Sequence, residues 1–124
     1  MALLKSLAFA ASLLLAAPAI TFAQPAKANR ELKLARDYVF AACLIERYPG
    51  APLEKEAQTW AGGLIEAGRL PPAAYPVLMR LAKRAPAASL EPNGVTLRIA
   101  GCLELIHDPA FAPLLKKSLA PFLR

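Results

Sequence analysis

Few side chains in this sequence are of the types that carry nucleophilic or metal chemistry. There are two cysteines, Cys43 and Cys102, and a single histidine, His107. A cysteine nucleophile acts as a thiolate beside a histidine base, so one of the two thiols would have to be free and close to His107. The alternative is that the cysteines pair with each other. The cellular compartment decides between these readings, because disulfides persist in oxidising surroundings.

The N-terminus predicts export. Lys5 is followed by an apolar run over residues 7–20, and the small residues that come next lead to Ala23, which suits a signal-peptidase site before Gln24. The run is shorter than the roughly 20 residues of a membrane span, although an uncleaved anchor is the alternative. We therefore predict a signal peptide over residues 1–23 and a disulfide between Cys43 and Cys102. Two buried free thiols are the other reading.

Other catalytic patterns are weak. Ser89 and Ser118 are not in a nucleophile elbow. Glu104, His107 and Asp108 are spaced as neighbours on a helix and could be imagined as metal ligands. We favour a simpler reading, in which Asp108 caps the next helix and Glu104 faces solvent. The expectation is a binding protein and not an enzyme, with no catalytic, cofactor-binding or metal-ligating residues.

The charge distribution argues against a nucleic-acid-binding protein. Once Lys5 is removed with the signal peptide, the fifteen basic residues become fourteen against nine acidic ones, a net charge of +5. Basic residues cluster at 80–84 and at 116–117, but aromatic side chains are not interleaved with them as on a nucleic-acid surface. This charge is better explained by solubility or by attraction to an acidic partner surface.

The hydrophobic periodicity predicts an all-α domain over residues 24–124. Apolar residues recur at three- and four-residue steps in five segments, and no segment alternates as a half-buried strand does. The predicted fold is a compact bundle of about five helices with one inter-helix disulfide. The helices are expected to begin at Arg30 after an Asn29 cap, at about Leu53, at Pro72, at about Val95 and at Pro109 after Asp108.

Three segments carry more specific expectations. In the second helix the apolar side is predicted to hold Ala57, Trp60, Ala61, Leu64 and Ile65. Gly62-Gly63 predicts close approach of another helix. Residues 85–94 form a loop with a Pro-Asn-Gly turn. The apolar stripe of residues 111–124, with Lys116 and Lys117 on its polar side, is expected to dock on the bundle; a membrane-surface helix is the alternative.

Several positions together resemble the type VI secretion amidase immunity protein family. They are the signal peptide, Tyr38-x4-Cys43 in a helix ending at Tyr48, the Trp60-Ala61-Gly62-Gly63 step, Tyr75, and the run from Gly101 through Cys102 to His107 ahead of a short apolar helix. The resemblance covers most of the mature chain, from about residue 34 to residue 119. The chain differs from the family in its proline-rich segment 85–94.

The resemblance implies an exported helical protein that protects a bacterium from a peptidoglycan amidase delivered by its neighbours. Family members act in the periplasm as homodimers and plug the amidase cleft with a protruding loop. This implies Ser89, Leu90, Glu91 and Asn93 as candidate partner contacts, although residues 85–94 could equally be a plain connection between helices. The alternative function is an exported helical binding or chaperone-like module without an amidase partner.

Overall fold

The computed structural model describes Ala16 and residues 23–123, so nearly all of the predicted signal peptide lies outside the described residues. Along the chain, the elements are α1 (Ala23–Arg47), α2 (Pro52–Ala67), α3 (Ala74–Ala82), β1 (Ser89–Leu90), β2 (Thr96–Leu97), α4 (Ile99–His107) and α5 (Phe111–Leu119), with a final 3-10 turn at Ala120–Phe122. The five predicted helices are confirmed. The protein is a compact helical bundle.

Helix α1 is the central element, since α2, α3, α4 and α5 all pack against it. Its buried positions Ala35, Val39 and Cys43 follow one another at four-residue steps, which places them on one stripe of the helix. The other large side chains that are fully buried come from three more helices, namely Leu78 of α3, Cys102 of α4 and Leu119 of α5. One contiguous core therefore holds all five helices.

Three predicted helix starts were wrong. Helix α3 begins at Ala74 and not at Pro72, because residues 72 and 73 form a turn closed by the hydrogen bond from Ala74 N to Pro71 O at 2.9 Å. Helix α1 begins at Ala23 and not after Asn29, because the alanine-rich residues upstream are good helix formers and continue the helix. Helix α5 begins at Phe111 and not at Pro109. Asp108 does act as a local acceptor, but its Oδ1 receives the Ala110 N–H at 2.8 Å within the turn that precedes the helix.

The prediction of a helix from Val95 and of no strand was also wrong. Residues 89–97 form a β-hairpin in which Ser89 is paired with Leu97 and Leu90 with Thr96. The turn closes through two backbone hydrogen bonds, from Glu91 N to Val95 O at 2.8 Å and from Gly94 N to Glu91 O at 2.9 Å. Gly94 has φ of 81°, a conformation that favours glycine. Helix α4 begins only at Ile99.

Helix α2 buries only part of its predicted apolar side: the prediction was right for Ala57, Ala61 and Leu64 and wrong for Trp60 and Ile65. Its buried residues are Ala57, Ala61 and Leu64, while Trp60 is 41% exposed and Ile65 is also exposed. Trp60 makes an edge contact with Phe40, with ring centroids 6.1 Å apart. The residues that α2 buries include two alanines, and the larger side chains beside them stay partly exposed.

The expected helix neighbour at Gly62 and Gly63 is not present. A Cβ added at either position would meet no atom within 4 Å among the described residues. Helix α5 does dock as expected, with Phe111, Leu115 and Leu119 buried and the helix packed on α1, α3 and α4. None of the helices in the described residues combines the length and apolar character that crossing a bilayer requires.

Candidate functional site

The two cysteines form the predicted disulfide. Cys43 on α1 and Cys102 on α4 are bonded, with their Cα atoms 5.8 Å apart and both side chains in the core. The described residues contain no free cysteine. His107 lies at the other end of α4, where Nδ1 is 2.9 Å from Leu103 O and Nε2 is 3.5 Å from Nη2 of Arg36. A thiolate and an imidazole therefore do not meet in this oxidised structure.

Glu104, His107 and Asp108, the conceivable metal ligands at the end of α4, do not form a metal site. Asp108 is used in the turn before α5, and His107 faces the guanidinium of Arg36, which is a poor neighbour for a bound cation. Within residues 23–123, no group of three or more His, Cys, Asp or Glu side chains converges. Glu104 is exposed, as the simpler reading expected.

A small cavity of about 10 Å³ lies between α1, α2 and the start of α3 and is lined in part by Tyr38, Tyr75 and Glu31. This is room for about one water molecule. The two tyrosine rings meet edge to face, with centroids 5.0 Å apart. Burial raises the pKa of Tyr38, and burial together with the nearby Glu31 carboxylate and Tyr38 raises the pKa of Tyr75. The space is too small for a substrate and is part of the core.

The four candidate contact residues lie together on the hairpin. Ser89 and Leu90 form β1, and Glu91 and Asn93 lie in the turn. Leu90 is 73% exposed, more than any other large apolar side chain among residues 26–123. Asn93 Oδ1 accepts the Val95 N–H at 3.1 Å, and Ser89 Oγ donates to Glu91 Oε1 at 3.3 Å. Asn93 thus shapes the turn, whereas Leu90 has no comparable role in the fold.

The predicted helix from about Val95 did not indicate the other exposed apolar side chains of this region. Val95 is 52% exposed, and Leu97, Ile99 and Leu103 are exposed as well. The available signal was the Pro-Asn-Gly turn followed directly by the β-branched pair Val95-Thr96, a combination that favours a hairpin. We call these exposed apolar residues the hairpin surface; three are on the hairpin (Leu90, Val95, Leu97) and two on α4 (Ile99, Leu103). Because Leu90 pairs with Thr96 and Ser89 with Leu97, Leu90 and Leu97 lie on opposite faces of the two strands.

No protein-family model matches this sequence, and no curated protein sequence matches it. The observations that bear on function are therefore the geometry of the hairpin surface and the resemblance described above.

Proposed function

We propose that this protein is a periplasmic immunity protein that binds a type VI-secreted peptidoglycan amidase and blocks its cleft with the hairpin of residues 89–97. The observation that carries this proposal is the concentration of exposed apolar side chains on a hairpin whose following helix is disulfide-bonded to the core. The resemblance supplies the identity of the target. Occlusion needs no catalytic group on the inhibitor.

The hairpin has the physical properties of an inhibitory wedge. Its turn is fixed by backbone bonds and by Asn93, so little conformational freedom is lost when it docks. Full burial of Leu90 would contribute about 1.5–3 kcal/mol to binding. Glu91, beside it in the turn, offers a carboxylate to a positively charged cleft wall. Substrate is then excluded sterically.

The proposed location is consistent with the covalent structure. A buried disulfide is compatible with an oxidising compartment, and the predicted signal peptide would deliver the chain to one. Treatment of intact cells with an osmotic-shock procedure should release the mature chain with the periplasmic fraction. Recovery only with the cytoplasmic fraction would contradict this part of the proposal.

We include a homodimer in the proposal. Large apolar side chains remain exposed away from the hairpin surface, namely Trp60 and Ile65 on α2. Such residues are enriched where subunits meet. Sedimentation velocity should give a mass of two mature chains, and Trp60→Glu should shift it toward one. A monomeric wild type at micromolar concentration would refute the dimer.

The central test is binding to the amidase encoded beside this protein, with inhibition of peptidoglycan hydrolysis as the functional readout. Leu90→Asp should weaken binding at least about 100-fold, because it replaces a buried apolar contact by a charge. Met79→Asp is the matched control, since Met79 is also exposed and apolar but lies on α3. Equal affinity of Leu90→Asp and wild type would refute the hairpin as the inhibitory element.

The chaperone-like alternative gives a different result in the same assays. It predicts weak binding to many unfolded chains, suppression of their aggregation, and no tight complex with one folded enzyme. Tight stoichiometric binding to the amidase, without suppression of aggregation, would exclude that alternative.

A further inference from the structure

The first leg of the hairpin is held by one side chain from α1. Arg47 lies in the last turn of that helix and is half-buried. Its Nη2 donates to Ala85 O at 3.0 Å and to Pro86 O at 2.6 Å. Hydrogen bonds from a charged donor are stronger than neutral ones, and here one guanidinium nitrogen fixes two successive carbonyls just before β1.

A missing side chain on α4 makes this contact possible. A Cβ at Gly101 would collide with Pro86 O and would lie 3.2 Å from Nη1 of Arg47. The glycine therefore allows the backbone at Pro86 to lie against α4, within reach of the guanidinium. Gly101 is buried in a helix interior, where glycine is otherwise unfavourable. Close approach of Pro86 explains its presence.

The second leg is held at the same end of α1. Arg98, directly after β2, lies over the ring of Tyr48 with its Cζ 5.8 Å from the ring centroid. Four residues further on, Cys102 is bonded to Cys43 of α1. Both legs of the hairpin are thus fastened to the C-terminal end of α1, one by Arg47 and the other by Tyr48 and the disulfide.

We propose that Arg47 is the positioning residue of the hairpin: it sets the direction in which residues 89–97 leave the bundle, and Gly101 makes room for that contact. The role of this arrangement in inhibition rests on the proposed function. The mechanical part, a hairpin held in one orientation by Arg47, is a property of the free protein. The two parts can therefore be tested separately.

The mechanical test is ¹⁵N relaxation of the oxidised mature protein, which reports backbone order residue by residue. In wild type the amides of Gly94, Val95 and Leu97 should have order parameters of about 0.85, as in the helices. Arg47→Ala should lower them below about 0.6 while those of α2 stay unchanged. Arg36→Ala is the matched control, because Arg36 is also a half-buried arginine of α1 but contacts His107 instead.

The outcomes are distinct. Unchanged hairpin order in Arg47→Ala, or an equal loss in Arg36→Ala, overturns the proposal. Arg47→Lys keeps the charge but lacks the planar guanidinium, so it should give order between wild type and Arg47→Ala. If Arg47→Ala fails to fold, Arg47→Lys decides: hairpin order equal to wild type overturns the proposal, and selective loss at the hairpin supports it.

The inhibitory role is tested by affinity for the amidase. Arg47→Ala keeps every residue of the hairpin surface, yet it should bind about tenfold more weakly, because the free hairpin would then adopt the binding orientation only about a tenth of the time. A mobile hairpin that binds as tightly as wild type would overturn the positioning role. Absence of any wild-type binding would instead refute the proposed function and leave the relaxation result standing.

Discussion

Removal of the disulfide should cost this protein a large part of its stability. The bond joins positions 59 residues apart. In the chain-entropy treatment, a loop of this length restricts the unfolded chain by an amount worth about 4 kcal/mol at 25 °C. Domains of this size have total stabilities of about 5–15 kcal/mol. We therefore expect reduction to bring the protein close to its unfolding limit.

The structure indicates which part of the fold the loss of the disulfide destabilises most. Helix α4 has only nine residues and packs mainly against α1 and α5, so the covalent bond is a major part of its attachment. Cys43 and Cys102 are 1% and 0% exposed. Reduction would thus leave two buried thiols in an intact core, while releasing the chain constraint. Helix α4 and the hairpin before it should loosen first.

The assay is urea and thermal unfolding of the oxidised and reduced protein, followed by far-UV circular dichroism. A loss of about 4 kcal/mol corresponds to a fall in melting temperature of at least about 15 °C for a domain of this size. Cys43→Ala/Cys102→Ala is the control: its stability should be low and should not respond to reductant. A difference below about 1 kcal/mol between oxidised and reduced wild type would refute the reasoning.

Three further perturbations follow from the packing, each measured by urea unfolding. Gly63→Ala should raise the free energy of unfolding by about 0.5–1 kcal/mol, because a Cβ meets nothing there and glycine is costly within a helix; a lower stability would reveal a neighbour at this face. Leu78→Ala, at a fully buried site, should lower it by about 2–5 kcal/mol, and a loss under 1 kcal/mol would contradict tight packing around α3. Burial raises the pKa of Tyr38 above its ordinary 10.0, so the folded state retains a proton that the unfolded chain releases; stability is present below that pH and should fall as pH rises above about 10, less steeply in Tyr38→Phe.

Much of the fold was predictable because helix formation here depends on short-range spacing. The four-residue step from Val39 to Cys43 specifies a helix face, and the Tyr48-Pro49-Gly50 sequence specifies its end. The disulfide was also predictable, since the chain has only two cysteines and an apparent export signal. These signals are local, or follow from counting, and need no knowledge of which helices meet.

Periodicity predicted the apolar side of α2, but not which of its residues are buried. Ala57, Ala61 and Leu64 lie on one stripe of the helix, and Trp60 lies beside it, so all four belong to one broad apolar side in the sequence. Helix α2 buries the stripe with the two alanines, and the larger Trp60 ring is left at the edge against Phe40. Hydrophobicity alone favours burial of the tryptophan, so the extent of burial within this side depends on the packing against the rest of the bundle.

The hairpin lies between these two cases. Its turn could be predicted from Pro92-Asn93-Gly94, and the candidate contacts chosen from that segment lie on it together. Its direction could not be predicted, because that depends on Arg47, which contacts carbonyls 38 and 39 residues away, and on the absence of a side chain at Gly101. In the sequence alone, Arg47 is a basic residue near a helix C-terminus, where its positive charge interacts favourably with the helix dipole in any protein. The turn residues identify this hairpin in the sequence because they are adjacent to one another. The side chain that orients the hairpin is distant in sequence, so it can be identified only once the fold is known.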